Sequence, residues 1–345
     1  MTDEHAEKPP EILFDFGPPP PRRLGGPIID GHAHVGDVAV ARPLVETARQ
    51  YGVGRMLGIT RTANIEPLRE AFGDFLDFAV SLNYDHRDDP AQMAADCLAI
   101  LDEAHALGAR MVKFWFKPEF NASSGLTLDD DRMRPIFSRI EALGLVCVAH
   151  IADPDAWFAT RYADVAKYGT KRETYRQLER VLERHPAVTI QAAHMGGDPE
   201  DLDHLHALLT RHENLCLDTS ATKWVVRELS RKPAEARAFF IEHADRLIFG
   251  SDLVARKDPH PRHYASRYWT LQQFLETDCT GPSPINDPDG GGTVTMTGLN
   301  LPDHVLERIY HHNAEGLLGV RAGQADAGPR NASSDAADRP PPTGG

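Results

Sequence analysis

Cysteine is scarce in this chain. Four residues in 345 (Cys97, Cys147, Cys216 and Cys279) are widely spaced, with no Cys-x-x-Cys pair. That excludes a disulfide-built scaffold and suits a reducing cytoplasm, the expected location. Long apolar runs are missing as well. None approaches the ~20 residues of a membrane-crossing helix, and the opening Met-Thr-Asp-Glu-His is acidic where an export signal would be basic. Positive charge is in deficit, with 37 Lys and Arg against 51 Asp and Glu and a net charge of −14. Phosphate backbones and anionic membranes attract the opposite sign, so neither nucleic acid nor membrane is an expected partner. A small molecule remains, and a homodimer is compatible with everything so far.

Both ends are poor in groups to bury. Residues 1–27 carry a run of prolines after Phe16, and residues 321–345 are mostly Ala, Gly, Asp, Ser and Pro. Both read as disordered, dispensable tails, and residues 280–298 read as a long loop. Between the tails one phrase recurs: an amphipathic helix, a glycine stop at Gly52, Gly108 or Gly144, then a short apolar strand. Strands are expected at 28–32, 54–60, 75–82, 109–115, 145–150, 188–194, 215–218 and 247–250, alternating with helices, the last of them over 302–318. Such alternation implies parallel strands joined by right-handed crossovers. The expected fold is α/β, a (β/α)8 TIM barrel over residues 28–320. A doubly wound sheet is the alternative, but no Gly-x-Gly-x-x-Gly turn follows the first strand.

The abundant residue is histidine, with 17 copies. The first strand ends Asp30-Gly-His32-Ala-His34, and alternation in a strand points His32 and His34 the same way. One His-x-His in so histidine-rich a chain is weak on its own. However, strand five ends at His150, strand six at His194, and strand eight runs into Asp252. Each sits where an apolar strand finishes, the face on which barrel enzymes build their sites. Buried imidazoles and carboxylates need partners, and a divalent cation satisfies them together.

These segments carry a resemblance. Ile29-Asp-Gly-His-Ala-His34, Val148-Ala-His150, Ala193-His-Met-Gly-Gly197, Ile248-Phe-Gly-Ser-Asp252 and Ile309-Tyr-His-His-Asn-Ala314 occur in the order of the amidohydrolase superfamily. The chain resembles its amidohydrolase-related branch, which includes aminocarboxymuconate-semialdehyde decarboxylase and several hydrolases. The resemblance implies one metal held by His32, His34, His150 and Asp252, with zinc expected and manganese or iron also suited to these donors. It implies His194 as the base that polarises water, with Asp252 as a proton shuttle; some members use the sixth-strand histidine as a ligand. The activity implied is hydrolysis of a C–N or C–O bond in a small anionic substrate, with non-oxidative decarboxylation as the alternative.

Four further residues are candidates for binding substrate. Lys113, late in strand four, suits a substrate carboxylate, although binuclear relatives carry a carboxylated lysine there. Trp115 follows it. Arg161 lies in an aromatic and basic segment (157–169) that could act as a lid or be a plain amphipathic helix. Lys223 follows strand seven. His204 and His206 fall in a helix, where residues two apart point about 200° from each other, so they are not expected to share a metal.

Overall fold

Short apolar segments separated by helices assemble into one parallel sheet. In the computed structural model, which describes residues 11–319, its strands are β1 (Ile28–His34), β2 (Val53–Thr60), β3 (Leu76–Ser81), β4 (Met111–Trp115), β5 (Val146–His150), β6 (Ile190–Ala192), β7 (Leu215–Asp218), β8 (Leu247–Ile248) and β9 (Leu253–Val254). They pair in the order β8-β7-β6-β5-β4-β3-β2-β1-β9. The last two are halves of a single barrel position, so the sheet closes on itself. Gly31 N donates to Phe249 O at 2.8 Å, and Asp252 N donates to His32 O at 2.7 Å. Gly31 makes this close approach possible, because a Cβ there would meet Ile248 Cγ2 at 2.6 Å. The expected barrel is therefore the observed one. No helix among the described residues is long and apolar enough to cross a membrane.

Two apolar layers hold the barrel. One lies between sheet and helices. The other fills the interior with Ile29, Leu57, Met111, Val148 and Ile248, among others, and is closed at its base by Ala314 and Leu318 of the final helical segment. Alternation along β4 and β5 carries this interior face upward, from Met111 to Lys113 and from Val146 through Val148 to His150. Strand β1 behaves differently. Asp30 pairs with Met56 while Ala33 pairs with Gly58, so β1 holds one more residue than β2 across this stretch. Ile29 belongs to the interior layer but Ala33 to the outer one. This bulge turns His32 and His34 inward, where strict alternation from Ile29 would have sent them to the helices.

Two expectations need correction. Residues 11–27 carry little regular structure, yet they are not a loose tail. Leu13 N donates to Pro284 O at 2.9 Å, Ile12 bridges Ile285, and Phe16 is buried 5.5 Å from the Trp269 ring beneath the Arg262 guanidinium. Residues 280–298 are not an open loop but an antiparallel hairpin, with Thr280–Pro282 against Thr295–Thr297. Ile285, Val294 and Met296 are buried, which is why the segment folds back. Residues 1–10 and the expected tail at 321–345 lie outside the described residues. The final helix is continuous but contains a π turn at Arg308–His312.

The docked segment yields two expectations. Phe16→Ala should cost about 2 kcal/mol of stability, read as a lowered unfolding temperature; an unchanged value would mean the segment is not part of the folded unit. The second concerns His263, which bonds Glu11. Burial and the Arg267 charge push its imidazole down to about 4, and Arg267 rather than His263 supplies the Glu11 counter-charge. An unfolded histidine takes its proton near pH 6.5, so this contribution is full above that pH and lost as pH falls towards about 4. The gap in unfolding temperature between wild type and His263→Asn should shrink between pH 7 and 4.5. A constant gap would show His263 already charged when folded.

Candidate active site

The bulge in β1 delivers His32 and His34 to the C-terminal mouth of the barrel, and Asp252 meets them from the break between β8 and β9. Asp252 Oδ1 is 3.2 Å from His34 Nε2 and 3.3 Å from His32 Nε2. One ligand atom from each of the three residues fits within a 4.8 Å span. Burial alone would raise the Asp252 carboxyl, but the imidazoles of His194, His32 and His34 hold it well below the usual carboxylate range. Two imidazole nitrogens and an ionised carboxylate form a donor set that fits a divalent ion.

His194 follows β6 in a strained turn. His194, Met195 and Gly196 all have positive φ (61°, 53° and 64°). Non-glycine residues there cost of order 1 kcal/mol each and persist only when their surroundings enforce them. One restraint is His194 N donating to Asp218 Oδ1 at 2.8 Å. Another is Gly197, where a Cβ would lie 2.2 Å from Ala152 O. Burial pushes the His194 imidazole down to about 3, so it is neutral at pH 7.

Asp218, the last residue of β7, organises the centre. It is fully buried and accepts from His32 Nδ1 at 2.9 Å, Gln191 Nε2 at 2.7 Å and the Ser220 hydroxyl. Although burial opposes ionisation, the charge and hydrogen bond of His32 keep its carboxyl well below the ordinary range. Because Ser220 gives its proton to Asp218, Ser220 Oγ accepts from His194 Nδ1 at 2.7 Å. Both His32 and His194 thus present an Nδ1 proton to this pair, and the Nε2 of each faces Asp252.

His150 stands apart from the three-residue group. Its ring is 5.1 Å from that of His194, but its Nε2 is engaged by Asp153 Oδ1 at 3.1 Å. Tyr162 OH lies 2.9 Å from Asp153 Oδ2 and 2.8 Å from Glu119 Oε2. Lys113 is buried, which lowers its pKa, and its Nζ is 2.9 Å from His32 Nε2.

Above the group opens a cavity of about 560 Å³. Lys113, Trp115, Lys117, Trp157 and Trp224 line it. Arg161 does not line it. Its guanidinium stacks 3.7 Å over the Trp157 ring and pairs with Asp289 at 3.3 Å, from a position between the two short helices Asp155–Ala159 and Val165–Tyr168 in sequence. Lys223 lines a smaller neighbouring pocket instead. His204 and His206 are separated as expected, His204 pairing with Asp198 and His206 with His243.

A closed β/α barrel with ionisable side chains gathered at the C-terminal mouth of a cavity defines a barrel enzyme. The amidohydrolase family model matches residues 29–320, and the chain belongs to that family. No curated protein matches it in sequence. Among solved structures it is similar to 2,6-dihydroxybenzoate decarboxylase from Rhizobium, at 15% identity over 86% of this chain and 99% of that one, with a TM-score of 0.51. It is also similar to 4-oxalomesaconate hydratase from Rhodopseudomonas palustris, at 13% identity over 85% of this chain and 96% of that one, with a TM-score of 0.52. A third is 5-carboxyvanillate decarboxylase from Novosphingobium aromaticivorans, solved with manganese and 4-hydroxy-3-methoxy-5-nitrobenzoic acid, at 13% identity over 86% and 96% with a TM-score of 0.50. At these identities the likeness is one of fold.

Asp218→Asn keeps the shape of the side chain but removes the charge that fixes two imidazoles. It should weaken divalent-metal affinity by about 10- to 100-fold, measured by competition with a chromophoric chelator. Unchanged affinity would remove Asp218 from the organisation of the site.

Proposed function

We propose that the chain is a metal-dependent hydrolase that cleaves a C–N or C–O bond in a small anionic substrate. The observation that carries this reading is the convergence of His32, His34 and Asp252 beneath a cavity whose wall also holds a neutral His194. The ion would be held by these three residues, with His150 as the proposed fourth ligand and zinc or manganese as the best-suited metals. A divalent ion supplies Lewis acidity and lowers the pKa of water to about neutrality.

The residues divide the remaining work. His194 Nε2, 3.9 Å from Asp252 Oδ2, carries the free lone pair and takes a proton from the attacking water. Ser220 and Asp218 hold that ring in its Nδ1-protonated form. Asp252 passes the proton towards the leaving group. Lys113 and Lys117 draw the substrate's negative charge into the cavity, and the indoles of Trp115, Trp157 and Trp224 enclose its apolar part and exclude water.

That same lining favours a second reading, non-oxidative decarboxylation. Three indoles and two lysines suit a planar aromatic acid, whose ring carbon would be protonated as CO2 leaves. Assays of metal-loaded protein against lactones, amides and aromatic carboxylates separate the two, because only decarboxylation releases CO2 and incorporates solvent deuterium at carbon.

Elemental analysis should find close to one metal per chain; less than about 0.2 would overturn the proposal. His32→Asn and Asp252→Asn should lose metal and activity together. His194→Asn should keep its metal and lose at least about 100-fold in kcat, in line with general-base contributions. A metal-free His194→Asn would make His194 a ligand, and a fully active one would remove it from the mechanism.

A further inference from the structure

On the ring of helices around the barrel, two histidines meet that the sequence keeps far apart. His206 lies in the second turn of the helix Leu202–Arg211, Glu242 ends the helix Pro233–Glu242, and His243 follows it as the cap. The first helix belongs to the connection from β6 to β7, the second to the connection from β7 to β8, and the two pack together. None of the three residues lines the cavity or the pocket beside it. Helix geometry denies His206 a shared ligand with His204, but it finds a partner 37 positions further on.

The donor atoms converge closely. His206 Nδ1 is 3.0 Å from His243 Nε2 and 3.3 Å from Glu242 Oε1, and one donor from each residue falls within a 4.8 Å span. Two ring hydrogens would collide at that separation, so a single proton serves two imidazole nitrogens and a carboxylate. An ion ~2.0–2.1 Å from each ring nitrogen would see the pair at about 95°, and His206 with Glu242 at about 105°. Both angles are ones that tetrahedral or square-based coordination uses. His243 is already fixed in place. It is buried, its ring centroid lies 4.8 Å from that of Phe239, its N–H donates to Phe239 O at 3.0 Å, and its carbonyl accepts from Arg246 N at 2.8 Å. Burial pushes its imidazole below the ordinary range, which leaves it neutral and able to ligate at pH 7. The carbonyl end of the helix Pro233–Glu242 adds negative potential at the same point. His206 and Glu242 are about half-exposed, so an ion reaches them from solvent and keeps water as its remaining ligands.

We infer that His206, Glu242 and His243 form a second metal site, a clamp between two outer helices that takes a late divalent ion such as zinc, nickel or copper. Two imidazoles and one carboxylate select these ions over magnesium and calcium, which need an all-oxygen shell. With three protein donors and an open side, the clamp exchanges its ion with solvent, so extensively dialysed protein keeps the barrel metal alone. The site does not rest on the proposed function, because none of its residues takes part in it.

The test uses the full-length chain, metal-loaded and then dialysed. Calorimetric titration of zinc should show a further equivalent with micromolar affinity, and NMR should show the ring signals of His206 and His243 moving together as it binds. His206→Asn, at a half-exposed position that leaves the core intact, should weaken that equivalent at least about tenfold, and Glu242→Gln severalfold. His311→Asn, in a separate histidine cluster of the last helical segment, should leave it unchanged. No further equivalent, or one that survives His206→Asn and Glu242→Gln, overturns the site. So does one that His311→Asn removes. Because the ion joins two helices only in the folded chain, added zinc should raise the unfolding temperature of wild type and not that of His206→Asn. An equal rise in both overturns the clamp. A chain that retains no metal at the barrel mouth, yet takes zinc through His206, would sink the proposed function and leave the clamp standing.

Discussion

The buried charge of Asp218 is the constraint on which the site depends. A carboxylate out of contact with water is costly unless every lone pair has a donor. Asp218 finds its donors in β1, β6 and the turns after β6 and β7: His32, Gln191, the His194 backbone and Ser220. Satisfying one group therefore fixes the angle of two imidazoles, the protonated nitrogen on each, and a turn with adjacent left-handed residues. The strain at His194 and Met195 and the desolvation of His32 are held in place by this single cluster, which is anchored on the end of a strand and fully buried.

The architecture was legible because its signals are local and repeated. Apolar strands, glycine stops and helix periodicity each recur along the chain, and together they specify a closed parallel barrel. The candidate site was legible to the extent that its residues lie at or just past strand ends, as His34, His150, His194 and Asp252 do. Asp218 ends a strand in the same way and was passed over, because one aspartate after Leu215-Cys-Leu carries no motif of its own. Asp153 could not be read at all. Its significance is a contact with His150 three residues earlier, across a turn whose shape the sequence does not announce. Arg161 shows the opposite failure. Composition placed it with the aromatics near the cavity, but direction decides function, and its head is taken up by Trp157 and Asp289.

The N-terminal stretch follows the same logic. Proline-rich sequence with only five large apolar residues has too little to bury on its own. Ile12 and Phe16 become core only because the hairpin at 280–297 and the helix His263–Glu276 present a surface that fits them. Such complementarity is between distant segments and leaves no mark within either one.

The one-residue spacing of the two histidines in β1 has a consequence for how this protein can change over generations. Substitution at most barrel positions alters one side chain and leaves the rest in phase. Loss of the Ala33 codon would instead make His32 and His34 neighbours and turn one of them to the helix layer, while both letters of the pair survived. The histidines are thus protected by chain length as much as by identity. Lineages free to exchange substrates through their loops would still be expected to conserve the residue count of this one strand.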